Sequence, residues 1–185
     1  FPRAILQWED FKKGNAARLL ARYRKVLPSF NDDIQGTAAV VVAGLMAAAR
    51  KTGTPLERQR TVILGAGAAG IGVATLLRST LRRSGVAGDD LFLQIAVLDS
   101  RGLLVDDTEI ADAYKRDLAW PAALAAQQGL GQGQPRDLEA VVRALEPTVL
   151  IGLSGAPGAF SEAVVRTMAA HCPQPVLMPM SNPPS

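Results

Sequence analysis

The sequence predicts an α/β protein built on a doubly wound parallel sheet, and three observations carry that prediction. Short β-branched and apolar runs of strand length alternate with helical patterns along most of the chain. One such run, TVIL at 61–64, passes at once into GAGAAG at 65–70 and then into an Ala- and Leu-rich helical pattern over 71–83. A second apolar run, 91–98, ends on Asp99. Strand, glycine turn, helix, strand and acid is the order in which a dinucleotide is bound at the edge of a parallel sheet.

Each residue of that Rossmann-type turn has a stated task. Gly65 allows the tight turn, Gly67 lets the backbone approach a pyrophosphate, and Gly70 lets helix and strand pack closely. With Ala66, Ala68 and Ala69 they form the expected cofactor loop, and the helix start offers free N–H groups to phosphates. Asp99 would accept from a ribose hydroxyl. It lies 29 residues beyond Gly70, against about 20 in the usual fingerprint, and the loop 84–90 is expected to absorb the excess. The plain alternative is a glycine turn that packs a helix on a sheet with nothing bound.

The other elements follow in order. Residues 4–8 read as a short strand, and 15–25 as a helix with Leu19, Leu20 and Tyr23 inward and Arg18, Arg22 and Lys25 outward. Residues 30–37 are polar and turn-rich. Thr37 starts an apolar helix to about Lys51, stopped by Gly53 and Pro55. Residues 103–118 are mixed and carry a loop, and 120–128 suggest a helix. The stretch 129–134, with three glycines and two glutamines, reads as the most flexible. A helix over 137–145, a buried strand over 148–153, a helix capped by Ser161 and a last strand over 176–180 complete the pattern. Ligands of such sheets lie outside the carboxyl ends of the strands. The Gly65 turn, Asp99, Ser154 and Asn182 are therefore expected at one edge.

Composition narrows the function classes. The 185 residues are 48% hydrophobic with a net charge of +3; the charges are scattered, so no nucleic-acid partner is expected. The single cysteine, Cys172, excludes a disulfide framework within the chain, and with the single histidine, His171, it makes no usual zinc set. The apolar run 38–49 is twelve residues long, short of the ~20 of a bilayer span, and is expected to be a buried helix rather than a membrane segment. No signal peptide is visible, which points to the cytoplasm. Fifteen of the twenty basic residues are arginine, as in GC-rich bacterial genomes. The chain opens without methionine and closes just after an apolar run, so it is expected to be one domain, 1–185, cut at both ends.

Two polar turns precede the glycine motif, one with Glu9 and Asp10, the other with Asp32 and Asp33. Carboxylates converging on one point suit a hard divalent cation, Mg²⁺ or Mn²⁺. Such pairs also serve as exposed caps and turns.

Six segments together resemble malic enzyme, in that family's order and over nearly the whole chain. They are WEDF at 8–11, FNDDIQGTA at 30–38, GAGAAG at 65–70, LDSRGL at 98–103, IGLSG at 151–155 and SNP at 181–183. The resemblance implies oxidative decarboxylation of malate to pyruvate and CO₂ with reduction of NAD⁺ or NADP⁺, assisted by Mg²⁺ or Mn²⁺, in a homo-oligomeric parent protein. It implies that Glu9, Asp10 and Asp33 are metal ligands and that Asp32 orients the catalytic base. Asn182 would contact the substrate or the nicotinamide end, and Ser154 the cofactor. The family's catalytic lysine and tyrosine lie upstream of the EDF motif, and nothing here matches them. A catalytic N-terminal domain is thus expected to be missing, and the chain alone to be inactive. Trp8 stands where the family usually has Phe, and Pro184 where Thr is common.

The cofactor is read from the end of the second strand. Asp99 alone favours NAD, because a carboxylate repels a 2′-phosphate. Ser100, Arg101 and Lys115 suit a phosphate and tilt the expectation to NADP; the alternative is that Arg101 and Lys115 are solvated surface charges. Two other readings compete: an amino-acid dehydrogenase with a similar nucleotide domain, which leaves the acid pairs unexplained, and a dinucleotide-sensing module without chemistry.

Overall fold

In the computed structural model, residues 3–11 and 13–180 are described. Strand β3 (Thr61–Leu64) lies at the centre of a five-stranded sheet. Strand β4 (Ile95–Asp99) pairs with it in parallel on one side and β6 (Val149–Gly152) on the other, and β7 (Val176–Pro179) extends β6 in parallel. The two-residue β5 (Gly102–Leu103) closes the far edge antiparallel to β4.

Both faces of this sheet are covered, which is why its strands are continuous apolar runs rather than alternating ones. Ile63, Ile95, Val97 and Ile151 point to one layer, with α2 (Thr37–Thr52) and α3 (Ala68–Arg83). Val62, Ala96, Leu98 and Leu150 point to the other, with α6 (Ala122–Gln127), α7 (Leu138–Leu145) and α8 (Glu162–His171). Trp120 is fully buried in that second layer, and its indole N–H donates to the Ile95 carbonyl at 3.0 Å. The predicted N-cap holds, Ser161 accepting from the Val164 N–H, and Asp137 caps its helix in the same way, accepting from the Ala140 N–H.

Four expectations change. Residues 91–93 are not strand; they end the short helix α4 (Asp89–Leu93), so loop and helix together fill the long interval before Asp99. Residues 30 and 31, the start of the stretch read as turn-rich, belong to β2 (Ser29–Asn31), which pairs in parallel with β1 (Leu6–Trp8) across the helix α1 (Lys13–Tyr23). The stretch 129–134 is tied down: Leu130 is buried, and Arg136 donates to its carbonyl and forms a two-pronged ion pair with Asp107. Finally, α2 is buried on one face only. Ala38, Val41, Val42, Leu45 and Ala49 face the core, whereas Val40 is 67% exposed and Met46 44%.

Candidate functional site

The chain changes direction across the sheet at β3. From β3 it crosses by α3 to β4 on one side, then returns to β6 on the other, so β3 and β6 part at a topological switch point. The loops leaving these two strands touch there. Gly65 has φ +117°, a region side chains rarely adopt, and a Cβ at this position would lie 2.6 Å from the Leu153 carbonyl carbon and 2.7 Å from the Ser154 nitrogen. The loop is held on both sides, since the Gly65 N–H donates to the Leu98 carbonyl and the Leu153 N–H donates to that of Leu64. A Cβ at Gly70 would overlap the Gly65 carbonyl oxygen, which fixes how closely α3 meets the strand end.

Helix α3 starts at Ala68 with Gly67 extended at its cap, no capping side chain and no acid in its first turn. Its first N–H groups are therefore free to meet an anion, in the field of a 16-residue helix. Ala66 is buried, and Ala68 and Ala69 are half-buried beneath the turn. Ser154 is exposed beside Gly65, its hydroxyl accepting from the Ala156 N–H at 3.2 Å.

Asp99 ends β4, one position past the Leu64–Leu98 pair and hence beside Gly65. One carboxylate oxygen accepts from the Arg101 N–H at 2.9 Å, and the other accepts from Lys115 at 2.7 Å. The Asp99 side chain is 9% exposed and that of Lys115 23%. Burial pushes the carboxyl up, but the Lys115 hydrogen bond, the Arg101 N–H and the two positive charges outweigh it and hold Asp99 below the usual value. Lys115 sits on α5 (Ala113–Arg116). The Arg101 guanidinium is exposed and donates to the Glu109 carbonyl. Ser100 is exposed.

The acid pairs emerge from the carboxyl ends of β1 and β2. Trp8 is paired with Asn31, so Glu9–Asp10 and Asp32–Asp33 leave the two strands side by side. Asp10 takes a left-handed conformation, φ +59°, which aspartate tolerates better than most residues. Its N–H donates to the Asp33 carboxylate at 3.1 Å. Residues Asp32–Gly36 form a π-helical turn that runs straight into α2. Asn31 anchors the turn: its side-chain oxygen accepts from the Ile34 N–H, and its own N–H donates to the Gln35 side chain, a reciprocal cap. The Asn31 side-chain nitrogen and the Trp8 indole nitrogen are buried with no hydrogen-bond partner among the described residues.

As a donor set, four carboxylates suit a hard cation in kind. In spacing, no three acid, histidine or cysteine side chains among the described residues converge as a metal centre. The structure thus sets the Glu9–Asp10 and Asp32–Asp33 turns side by side at the ends of two paired strands, and among the described residues the Asp10 N–H to Asp33 carboxylate bond joins them. Asn182 lies outside the described residues. Sequence reasoning missed Asn31 and Gln35; the Asn31-x-x-x-Gln35 spacing was the available signal, read instead as polar turn.

The malic enzyme NAD-binding domain model matches residues 34–185. The NAD-dependent malic enzyme of Shewanella denitrificans is 43% identical over 185 residues, covering 100% of this chain and 33% of that protein. NAD-dependent malic enzyme 3 of Bacillus subtilis is 43% identical over 184 residues, covering 99% of this chain and 32% of that protein. The chain therefore spans about a third of the length of these relatives. Among solved structures, the NAD-dependent malic enzyme of Thermotoga maritima superposes with a TM-score of 0.73 at 25% identity, over 97% of this chain and 42% of that one. That likeness agrees with the mostly parallel sheet, and the segment matched by the family model begins at Ile34, just after the two acids, and runs through the whole five-stranded sheet: this chain belongs to the malic enzyme family and carries its NAD-binding domain.

Proposed function

We propose that this chain is the dinucleotide- and metal-binding part of an enzyme that oxidises malate and decarboxylates it to pyruvate and CO₂, with NAD⁺ as the hydride acceptor. The observation that carries the reading is the placement of the acid turn: Asp32 and Asp33 sit in a turn packed against α3, the helix whose N-terminus is the dinucleotide turn. The amino-acid dehydrogenase reading leaves that turn unexplained.

In this reading Glu9, Asp10 and Asp33 would hold Mg²⁺ or Mn²⁺, which when bound polarises the substrate hydroxyl and carbonyl oxygens as a Lewis acid. The chain's own residues do the rest of what this part does. Free N–H groups at the start of α3 take the pyrophosphate, and the close Gly65–Leu153 contact shapes the crevice in which the cofactor lies. Asp32 orients the base that takes the hydroxyl proton, a role taken from the family likeness. The Asp10 N–H bonded to Asp33 keeps the two acid turns in register. Proton donor and acceptor come from outside this chain, and the active protein is a cytoplasmic oligomer.

For the cofactor, the relatives are named NAD-dependent, and Lys115 is engaged with Asp99 rather than open to a 2′-phosphate. Both support NAD. Ser100 and Arg101 remain exposed and are what an NADP preference would rest on. The test is malate-dependent reduction of NAD⁺ and of NADP⁺ by the full-length protein, with and without Mn²⁺. NAD⁺ reduction that requires both malate and Mn²⁺ is expected. Reduction without malate, or with an amino acid in its place, overturns the reading, and faster reduction of NADP⁺ reverses the cofactor assignment alone.

A further inference from the structure

Two glycines of this region have no conformational reason to be glycine. Gly36 has φ −65° and ψ −53°, ordinary helical values, and Gly72 lies inside α3. Glycine in such backbone weakens a helix relative to alanine, so its presence calls for a steric cause. Both causes are found on the same short segment. A Cβ at Gly36 would overlap the Asp32 carboxylate and lie 2.9 Å from its Cγ, so the backbone could stay in place and the carboxylate, the free end of a side chain, would have to turn aside. A Cβ at Gly72 would overlap the Ile34 carbonyl oxygen and come within 3.0 Å of the Ile34 carbonyl carbon and Cγ2. The turn Asp32–Gly36 is thus fitted on one side by the missing side chain of its own last residue and on the other by that of the cofactor helix.

Gly72 is buried and stands four residues after Ala68, the first residue of α3, so this contact lies one helical turn from the N–H groups that face the dinucleotide. Helix α3 is in turn fixed to the strand end by the Gly70–Gly65 approach. An unbroken line of backbone contacts runs from the dinucleotide loop through α3 to the acid turn. Side chains hop between rotamers, whereas backbone in close packing has little freedom to move.

We propose that Gly36 and Gly72 are positioning residues that seat the acid turn on the cofactor helix and so fix Asp32 and Asp33 relative to the dinucleotide loop. The proposal rests on the malic enzyme reading for the roles of those acids, but the seating itself stands on packing alone. Gly72 moves the whole turn, and Gly36 moves the Asp32 carboxylate within it.

The experiment compares Gly72→Ala and Gly36→Ala with the wild type in the full-length protein. It measures Mn²⁺ binding by electron paramagnetic resonance, NAD⁺ binding by calorimetry, steady-state kinetics, and amide hydrogen exchange over residues 31–37 and 73–81. Gly72→Ala is expected to weaken Mn²⁺ about tenfold, leave NAD⁺ within about twofold, and speed exchange at 31–37 without changing it at 73–81. Gly36→Ala is expected to lower kcat by up to about a hundredfold, as small misplacements of catalytic groups do, with Mn²⁺ and NAD⁺ binding kept. Unchanged exchange at 31–37 in Gly72→Ala overturns the seating, as does equal acceleration in both segments, which is general loosening. Should Gly72→Ala not fold, Gly36→Ala decides: an unchanged kcat overturns the proposal. If the wild type binds no Mn²⁺, the malic enzyme reading fails, and the exchange result still judges the seating by itself.

Discussion

The dinucleotide edge and the acid edge are built from different material. At the first, the functional groups are main-chain N–H groups, placed by a central strand with both faces buried and by loops in backbone contact at Gly65 and Leu153. At the second, they are carboxylates on two turns leaving a pair of three-residue strands, with Glu9 and Asp10 exposed and Asp32 and Asp33 half-buried. Among the described residues one hydrogen bond, from the Asp10 N–H to the Asp33 carboxylate, links the acid pairs. A main-chain site is complete once the chain is packed. Carboxylates of like charge repel one another, so an acid site closes fully only when a cation offsets that repulsion.

The largest expected effect tests the packed side of this contrast. Gly65→Ala forces a side chain into a left-handed backbone against Leu153, with a cost of about 3 kcal/mol, and NAD⁺ binding should disappear in calorimetry while Mn²⁺ binding persists. Asp33→Asn probes the other side. The amide oxygen can still accept the Asp10 N–H, so the fold should hold, yet Mn²⁺ affinity is expected to fall by at least about tenfold, with NAD⁺ affinity unchanged. If Asp33→Asn weakens NAD⁺ as much as Mn²⁺, the two edges are not separable and the contrast breaks.

A sharper form uses hydrogen exchange on the unmodified protein. Mn²⁺ should protect residues 31–37 and leave 61–66 unchanged, because the latter are already ordered by packing. Little of this division could be read before folding is considered. The glycine turn, its helix and Asp99 were legible because each is a local pattern: a four-residue apolar strand, a GAGAAG turn and a helical period. Strand β2 was not, since Ser29–Asn31 carries no strand periodicity and becomes a strand only by pairing with Leu6–Trp8 across 23 positions.

Asp99 gives a smaller, pH-dependent effect. Its folded carboxyl lies below the ordinary value, so it contributes stability that is present above the unfolded value of about 3.9 and lost as pH falls through the folded one. Lys115→Met removes a principal cause. The urea midpoint of the variant should sit closest to the wild type at the acid end and fall behind it as pH rises toward neutral. A constant gap at every pH would mean that Lys115 acts by packing. Smallest of all is the exposed Arg166–Glu162 pair on α8, 2.7 Å apart. Glu162→Ala should change stability by no more than about 0.5 kcal/mol in thermal unfolding.

Resemblance in short motifs named the family, and the comparison with relatives agrees. The apparent looseness of 129–134 came from composition alone; Arg136 cannot be foreseen as its clasp because the partners, Leu130 and Asp107, are 6 and 29 residues away. The same holds for Lys115. Its charge suggested a phosphate ligand, and only the fold reveals that α5 brings it onto Asp99.

The sequence by itself determined the α/β class, the strand at 61–64 and the glycine turn, because hydrophobic period and glycine placement act within a few residues. It also marked the four acids as a set. Tertiary structure alone decided that α2 buries one face, that Asp10 donates to Asp33, and that the acid turn rests on Gly72 of the cofactor helix. These depend on which surfaces meet across long separations in the chain, and close packing rather than local preference selects them.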